Sequence, residues 1–594
     1  RAASAIVAPY VEASRVDAVV ERSAGLPLFL VELAHATGES LPDSIRDSVV
    51  ARLVGVGDAA VTIHAAAVLG RDIDVDLLAT VLERPTGELL DDLEAAARRR
   101  ILTDAATGYV FNHELVREAL AADTASARRA WLHRQAAKAL SRRATVEHLT
   151  VAQHARLGGD LPLAARALCA AAEQAGARFD HDAALALAAD SLGLADSAAA
   201  HLIRGRSLVL LRRYDEARLE AESAHALGAG APALEIAAFA AYYARDLDAV
   251  LRLADEAAAI SDDPEVLDTC QYLAAKVLHT QGHISEAEKR LAPMTQAPMR
   301  SVMASFSRTW RGFVHIHRGH VDAAARDLAG SDAARRAPVP YAPLYVDQFL
   351  AHLAGLDGRP LDVLTIADRW RNAVSDQDAL RFAGRAEVYR GWALSLLCEP
   401  SALDSLEEAR DLSRSAGNPE PLGQASLDIA GIHLDNGDVA AATKLLDEVG
   451  NILAAGGQVS NGWRIELRSN YLRGRLALLS GDPAGAAAAA DAVVSRARAD
   501  HIDRYEVLGL LLAIEARALA GERISAGEAA VLLPQLLAAA RPEAWRVTAR
   551  LGAALHSDAL LAWSSERVEE LASRSGPYAD QVRSAAAAAL SSGR

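Results

Sequence analysis

Cysteine is scarce. Three residues, Cys169, Cys270 and Cys398, lie far apart in a chain of 594. That spacing excludes a disulfide framework and a zinc cluster, and it fits a reducing cytoplasm. Aromatics make up only 5%. With alanine abundant throughout, this excludes a β-rich core and favours helices packed closely through small side chains. Lysine is rarer still: Lys138, Lys276, Lys289 and Lys444 are the four in the chain. No apolar run approaches the length of about 18 uncharged residues that a membrane helix needs. No secretory leader is visible. A basic balance is missing too. The formal net charge is -16, from 78 acidic and 62 basic residues, which argues against extensive contact with nucleic acid. Nowhere does a Gly-Lys pair occur, so there is no phosphate-cradling G-x-x-x-x-G-K-[ST] loop. The first residue is Arg1 and the first methionine is Met294. The chain is therefore expected to be a segment of a longer protein.

What remains is 51% hydrophobic and 24% charged, the composition of a folded protein of several structural units. Residues 146–594 read as helix after helix, with short turns. A pattern recurs in them: a small residue, a turn residue seven later, a second small residue twelve after the first, and an apolar residue four beyond that. Ala275, Gly282, Ala287 and Leu291 fit it. So do Gly312, Gly319, Ala324 and Leu328; Ala430, Gly437, Ala442 and Leu446; and Gly474, Gly481, Ala486 and Ala490. Gly205, Arg212, Ala217 and Ala221 fit with arginine at the turn. Weaker turns near Gly358, Pro400 and Gly521 extend the series. Such spacing describes a helical hairpin whose two helices approach closely through their small residues. The offset is similar to the tetratricopeptide repeat, with "LLRRYDEA" at 210–217 the nearest single match.

Residues 1–145 differ. Helices are predicted up to Ser23, from Pro27, over 41–53, over 59–69, over 71–82 and over 86–102. A short β-hairpin follows at 103–111, turning at Gly108. Helices followed by a hairpin form a winged-helix layout.

Three phrases carry a resemblance. Gly25-Leu26-Pro27 with Leu28, Phe29 and Leu30 is one. Phe111, His113, Leu115, Val116, Arg117, Glu118, Ala119 and Leu120 form the second. Arg129, Leu132, His133, Ala136, Ala137 and Leu140 form the third. Together they resemble the STAND-type signalling ATPases, in particular the large ATP-binding LuxR-type bacterial regulators. The resemblance is specific over about residues 1–145 and generic beyond.

It implies an all-α protein with a helical lid (1–55), a winged-helix domain with linker helices (56–145) and a tetratricopeptide-like solenoid (146–594). It also implies ATP or ADP for a longer protein, held by an ATPase core that this sequence does not contain. Gly25, Pro27 and His113 would then be nucleotide-binding, Pro27 against the adenine and His113 toward the phosphates. No cofactor is expected within the chain itself.

Other candidates are weaker. Arg98, Arg99 and Arg100 form a basic run before the hairpin. Residues 1–150 nevertheless carry 17 basic and 21 acidic residues, so a solvated helix end is the better reading. His315, His317 and His320 lack the partners of a metal site. No catalytic constellation is apparent, and no enzymatic activity is expected in these residues.

The expected function is that of a sensor and regulatory arm. It would bind an inducer or partner protein on its repeats and act on an upstream ATPase core, with DNA reached only through a further domain and no membrane partner. The alternative is a stand-alone tetratricopeptide scaffold for protein–protein interaction. A weaker third reading places the same cassette behind a nucleotide cyclase or kinase.

Overall fold

The computed structural model describes all residues except 1, 12, 24–26, 36–42, 54–56, 58, 107, 262, 296–300, 374–379, 455–458 and 593–594. The chain is all-α, with one two-stranded sheet among the described residues. No described helix is long and apolar enough to cross a membrane. The chain divides into two compact units. The first holds residues 1–211 and 219–229, the second 212–218 and 230–594.

The first unit opens with the helices Ala2–Val7, Ala13–Arg22, Pro27–His35 and Asp43–Val50. Next come Ala59–Leu69, Val75–Leu82 and Thr86–Arg98. Ala59–Leu69 is apolar nearly all round and is correspondingly buried. Asp74 starts Val75–Leu82 by accepting from the backbone N–H of Leu77 at 2.9 Å.

Strands Leu102–Ala105 and Gly108–Phe111 pair antiparallel, with Leu102 opposite Phe111. Residues 71–73 add a short third edge: Ile73 N–H donates to the Tyr109 carbonyl at 2.9 Å, and Phe111 N–H to the Arg71 carbonyl at 3.2 Å. Helices and hairpin share one core, in which Ile63, Leu78, Leu89, Leu93 and Phe111 are fully buried.

The second unit is an array of antiparallel hairpins, as the small-residue pattern predicts. The small residues meet where the helices cross: Ala275, Ala287, Ala324, Ala430, Ala442 and Ala486 are fully buried. The predicted turn residues Gly282, Gly319, Gly437 and Gly481 all take left-handed backbone, with φ between 70° and 93°. Arg212 takes it as well, at 65°.

The array closes on itself. Trp463 donates its indole N–H to the His279 carbonyl at 2.9 Å, 184 residues away. His320 meets Asp503 (183 residues), Arg541 meets Asp357 (184) and Gln581 meets the Cys398 carbonyl (183). From the Pro264–Gln281 helix to the Gly462–Leu479 helix is five hairpins. A constant offset of this kind means that the hairpins wind into a tight superhelix within the unit, and each turn is seated on the one before.

Glycine permits the seating at Gly319. A side chain there would sit 2.9 Å from the Ala539 Cβ and 3.0 Å from the Arg504 Cβ of the next turn. Its φ of +90° is equally closed to ordinary side chains.

Candidate ligand-binding lumen

The residues singled out in the first unit fall as follows. Gly25 lies outside the described residues. Pro27 begins the Pro27–His35 helix, where proline costs no hydrogen bond. His113 is buried and caps the Glu114–Asp123 helix: its Nδ1 accepts from Leu115 N–H at 3.2 Å, and its Nε2–H donates to the Ser23 carbonyl at 2.9 Å. A carbonyl can only accept, so this pair of bonds defines the neutral Nε2–H tautomer. Phe29 packs edge-on against the ring at 5.0 Å.

The rest of that phrase has comparable work. Arg117 donates to the Ala67 carbonyl at 2.8 Å, and Glu118 pairs with Arg22 at 2.9 Å. His113 and Glu118 thus tie the end of the Ala13–Arg22 helix to the Glu114–Asp123 helix. Arg129 donates to the carbonyls of Ala121, Ala122 and Thr124 and so closes the end of that helix.

Arg98 pairs with Glu94 at 3.5 Å on an exposed helix end, as the solvated reading predicts. His315 and His320 have neighbouring rings, with centroids 5.9 Å apart, whereas His317 belongs to a separate cluster. His315 lies near Glu288 and Asp327, His317 stacks on His279, and His320 reaches Asp503. No group of metal-ligating side chains is found among the described residues.

The residues that do converge lie on the inner helices of the second unit, and their role went unread in the sequence. Helix Pro419–Asp435 presents Glu420, Asp428 and Asp435. Helix Gly462–Leu479 presents Arg464, Arg468 and Arg475. The two rows mesh: Arg468 bonds Asp428, Arg475 meets Asp435 at 2.7 Å, and Arg464 comes within 3.8 Å of Glu420. The following hairpins continue the row through Arg504 to Glu543 and Arg550 to Glu515, the latter at 3.0 Å.

Burial lifts the Asp428 carboxyl above its ordinary range against the pull of Arg468. At the more open Asp435, the charges of Arg475 and Arg546 outweigh desolvation and hold the carboxyl below that range. Outside an ion pair, each of these charges would be costly in such surroundings.

Above the charged rows lies an aromatic and histidine layer. The Lys276 ammonium sits over Tyr242 at 4.3 Å, Tyr345 at 4.8 Å and Trp310 at 5.3 Å. His279 and His317 stack with centroids 4.8 Å apart and share one hydrogen bond at 2.7 Å. Burial, with the nearby charge of Arg464, pushes His279 down to about 3 and holds His317 and His352 well below the ordinary histidine range. Two of their nitrogens, His279 Nδ1 and His317 Nε2, are buried without a hydrogen-bond partner among the described residues.

Between the layers lies a cavity of about 50 Å³. Its walls include His352, Trp392, Leu427, Arg464, Arg468 and Arg504. Drug-sized ligands occupy roughly 300–1,000 Å³, so this space takes one small group. A broader groove of about 720 Å³ runs elsewhere in the unit. Leu251, Leu267, Leu278 and Pro293 line it, and the Arg290–Asp255 pair crosses it at 2.6 Å.

Two structural signals could have revealed the lumen. Arg464, Arg468, Tyr471 and Arg475 recur at helical spacing in an alanine-rich chain, and the sparse aromatics cluster between residues 242 and 463.

Comparison with known proteins adds the following. No protein-family model matches the chain, and no curated protein matches it. Among solved structures, the chain is similar to a Rap protein complexed with competence and sporulation factor. Identity is 12%, covering 64% of this chain and 99% of that one, with a TM-score of 0.45. It is also similar to a signal transduction ATPase with numerous domains from Pyrococcus horikoshii that carries a tetratricopeptide repeat sensor. There identity is 11%, covering 90% of this chain and 71% of that one, with a TM-score of 0.31. A third likeness is to the Cut9–Hcn1 hetero-tetramer, at 12% identity, covering 70% of this chain and 95% of that one, with a TM-score of 0.28.

Proposed function

We propose that the chain is the sensor and regulatory arm of an ATP-dependent signal-transduction regulator, binding an inducer or partner protein through its helical repeats. The observation that carries this is the role of residues 111–120. The residues that make the resemblance also fasten the N-terminal helices to the hairpin core, through His113 to Ser23 and Glu118 to Arg22. Residues 1–55 are then read as the lid, and residues 56–145 as a winged-helix domain with linker helices.

ATP or ADP would be held by an upstream core, with Gly25, Pro27 and His113 on its nucleotide-facing side. Within this chain the fit is poor. Both His113 ring nitrogens are engaged, and a phosphate would have to displace the Ser23 carbonyl. No nucleotide step is therefore derived from these residues. DNA would be met through a further domain, giving a transcriptional output. The chain itself is read as a binding arm without catalytic activity.

The lumen supplies the regulatory logic. Its cavity is far smaller than a peptide segment and takes at most one small group. Anything larger enters only as successive superhelical turns part. Binding and a change of superhelical pitch are then one event, and differential affinity for the open form drives it.

The test is the reading frame on either side of this segment. A P-loop within about 250 residues upstream and a helix-turn-helix downstream are expected. A frame without a P-loop overturns the nucleotide-linked reading. It would leave a stand-alone repeat scaffold, whose partner is then identified by affinity capture with the intact chain.

A further inference from the structure

The lumen cavity has an imbalance of charge. Arg464, Arg468 and Arg504 line it with Glu420 and Asp428, and Arg385 and Glu543 pair into the same row from outside the wall, four guanidinium groups to three carboxylates. Arg468 bonds Asp428 and Arg504 bonds Glu543. Glu420 is committed to Arg385 through Oε2 and accepts from Asn461 through Oε1 at 3.3 Å. Arg464 shares that same Oε1 from 3.8 Å, beyond hydrogen-bond reach. It is the one guanidinium of the four without a carboxylate of its own among the described residues.

Its side chain keeps 16% of its exposure, and it lines the cavity. The surroundings report an excess of positive charge. Burial first, and then the nearby charge of Arg464, holds the histidines at 279, 317 and 352 low, and burial pushes the Arg464 guanidinium itself below its usual range.

We propose that this cavity is an anion site, in which Arg464 takes the carboxylate of a small organic acid. A guanidinium matches a carboxylate with two parallel N–H donors, and a partly desolvated one gains most from doing so. Arg504, across the cavity, adds a second positive charge. Trp392, Leu427 and Ile465 offer apolar wall to a short hydrocarbon portion. The volume of about 50 Å³ suits a carboxylate group with a carbon or two and excludes a peptide segment. The inference rests on reading the second unit as a binding arm, and it names the chemistry of what that arm takes.

The experiment is titration calorimetry and thermal unfolding of the whole chain with sodium acetate and sodium propionate at pH 7.5. Sodium chloride holds the ionic strength constant, and sodium phosphate provides a separate arm. The expected result is saturable one-to-one binding of the carboxylates with a rising unfolding midpoint. Arg464→Met should weaken it about tenfold or more, and Arg464→Lys less so. Gln424→Trp, which fills the cavity from a neighbouring position, should abolish it while circular dichroism stays helical.

No heat with either acid in the wild-type chain overturns the proposal. So does an equal response in Arg464→Met, or a rise that chloride alone reproduces. Saturable binding of phosphate but not of acetate or propionate overturns the carboxylate assignment. None of these outcomes bears on the flanking reading frame, so the anion site and the regulatory-arm reading fail separately.

Discussion

Trp463 and His279 stand 184 residues apart, yet the indole N–H of one meets the backbone carbonyl of the other at 2.9 Å. The carbonyl belongs to the last turn of its helix, where it also accepts from Gly282 N–H at 3.1 Å. One carbonyl thus closes a hairpin turn and seats the next superhelical turn.

Replacement of Trp463 separates these roles. Trp463→Phe keeps most of the packing and leaves the His279 carbonyl its Gly282 partner, so the expected loss is about 1 kcal/mol. Trp463→Ala should cost about 3–5 kcal/mol. It should also raise the radius of gyration in small-angle scattering. An unchanged radius would show that the turns hold together without this contact.

Gly319 and Gly437 make a controlled pair. Both are left-handed, but nothing lies within 4 Å of a side chain built at Gly437, whereas Ala539 and Arg504 crowd one at Gly319. Alanine at Gly437 should cost about 1–2 kcal/mol from backbone strain alone. At Gly319 it should cost about 1–3 kcal/mol more, from overpacking between turns. Equal midpoints in urea would contradict the inter-turn contact.

The half-buried Arg468 pairs with the buried Asp428. Arg468→Met strands the carboxylate and should destabilise the chain by about 3–5 kcal/mol. Arg468→Met with Asp428→Leu should recover most of that loss, because neither charge is left unpaired. A double variant no better than the single would place the effect in lost packing.

The three neutral histidines make stability depend on pH. Folded His279 titrates at about 3, and His317 and His352 lie well below the ordinary value. In the unfolded chain all three take up protons near pH 6.5. Their contribution is therefore complete above that pH and is lost as pH falls toward the folded values. At about 1.4 kcal/mol per histidine per pH unit, the loss from pH 6.5 to 5.5 is roughly 3 kcal/mol after allowing for partial protonation at the upper end. Urea unfolding at pH 7.5, 6.5 and 5.5 measures it. His352→Phe should reduce the measured loss by about 1 kcal/mol, while the other lowered histidines, His133 and His154 among them, keep the rest of the slope.

His113 offers a local test. His113→Ala loses the cap and the Ser23 bond and should cost about 1–2 kcal/mol. His113→Asn restores a side-chain acceptor for the helix start and should recover part of the loss. Hydrogen exchange at the end of the Ala13–Arg22 helix should quicken in the alanine variant.

Much of the local structure was legible in the sequence. Gly282, Gly319, Gly437 and Gly481 marked the turns because left-handed backbone suits glycine, and their small partners twelve apart marked the crossings. Phe111 marked the hairpin through strand preference, whereas Gly108, expected at the turn, begins the second strand opposite Ala105. Gly25 lies outside the described residues. His113 was read toward a nucleotide; in the fold its nitrogens serve a helix start and a neighbouring carbonyl. A single sequence does not say which acceptors will stand beside a side chain.

The sequence by itself determined the elements: helices, their turns and their close approach, all set by contacts within about forty residues. Only the tertiary structure decided the winding. Whether Gly319 merely turns the chain or also admits Arg504 depends on the pitch accumulated over five hairpins. That pitch is the sum of many small crossing angles, and no residue encodes it alone. The lumen follows from it. Arg464 lacks a carboxylate of its own because Arg385, 79 residues earlier, reaches Glu420 first.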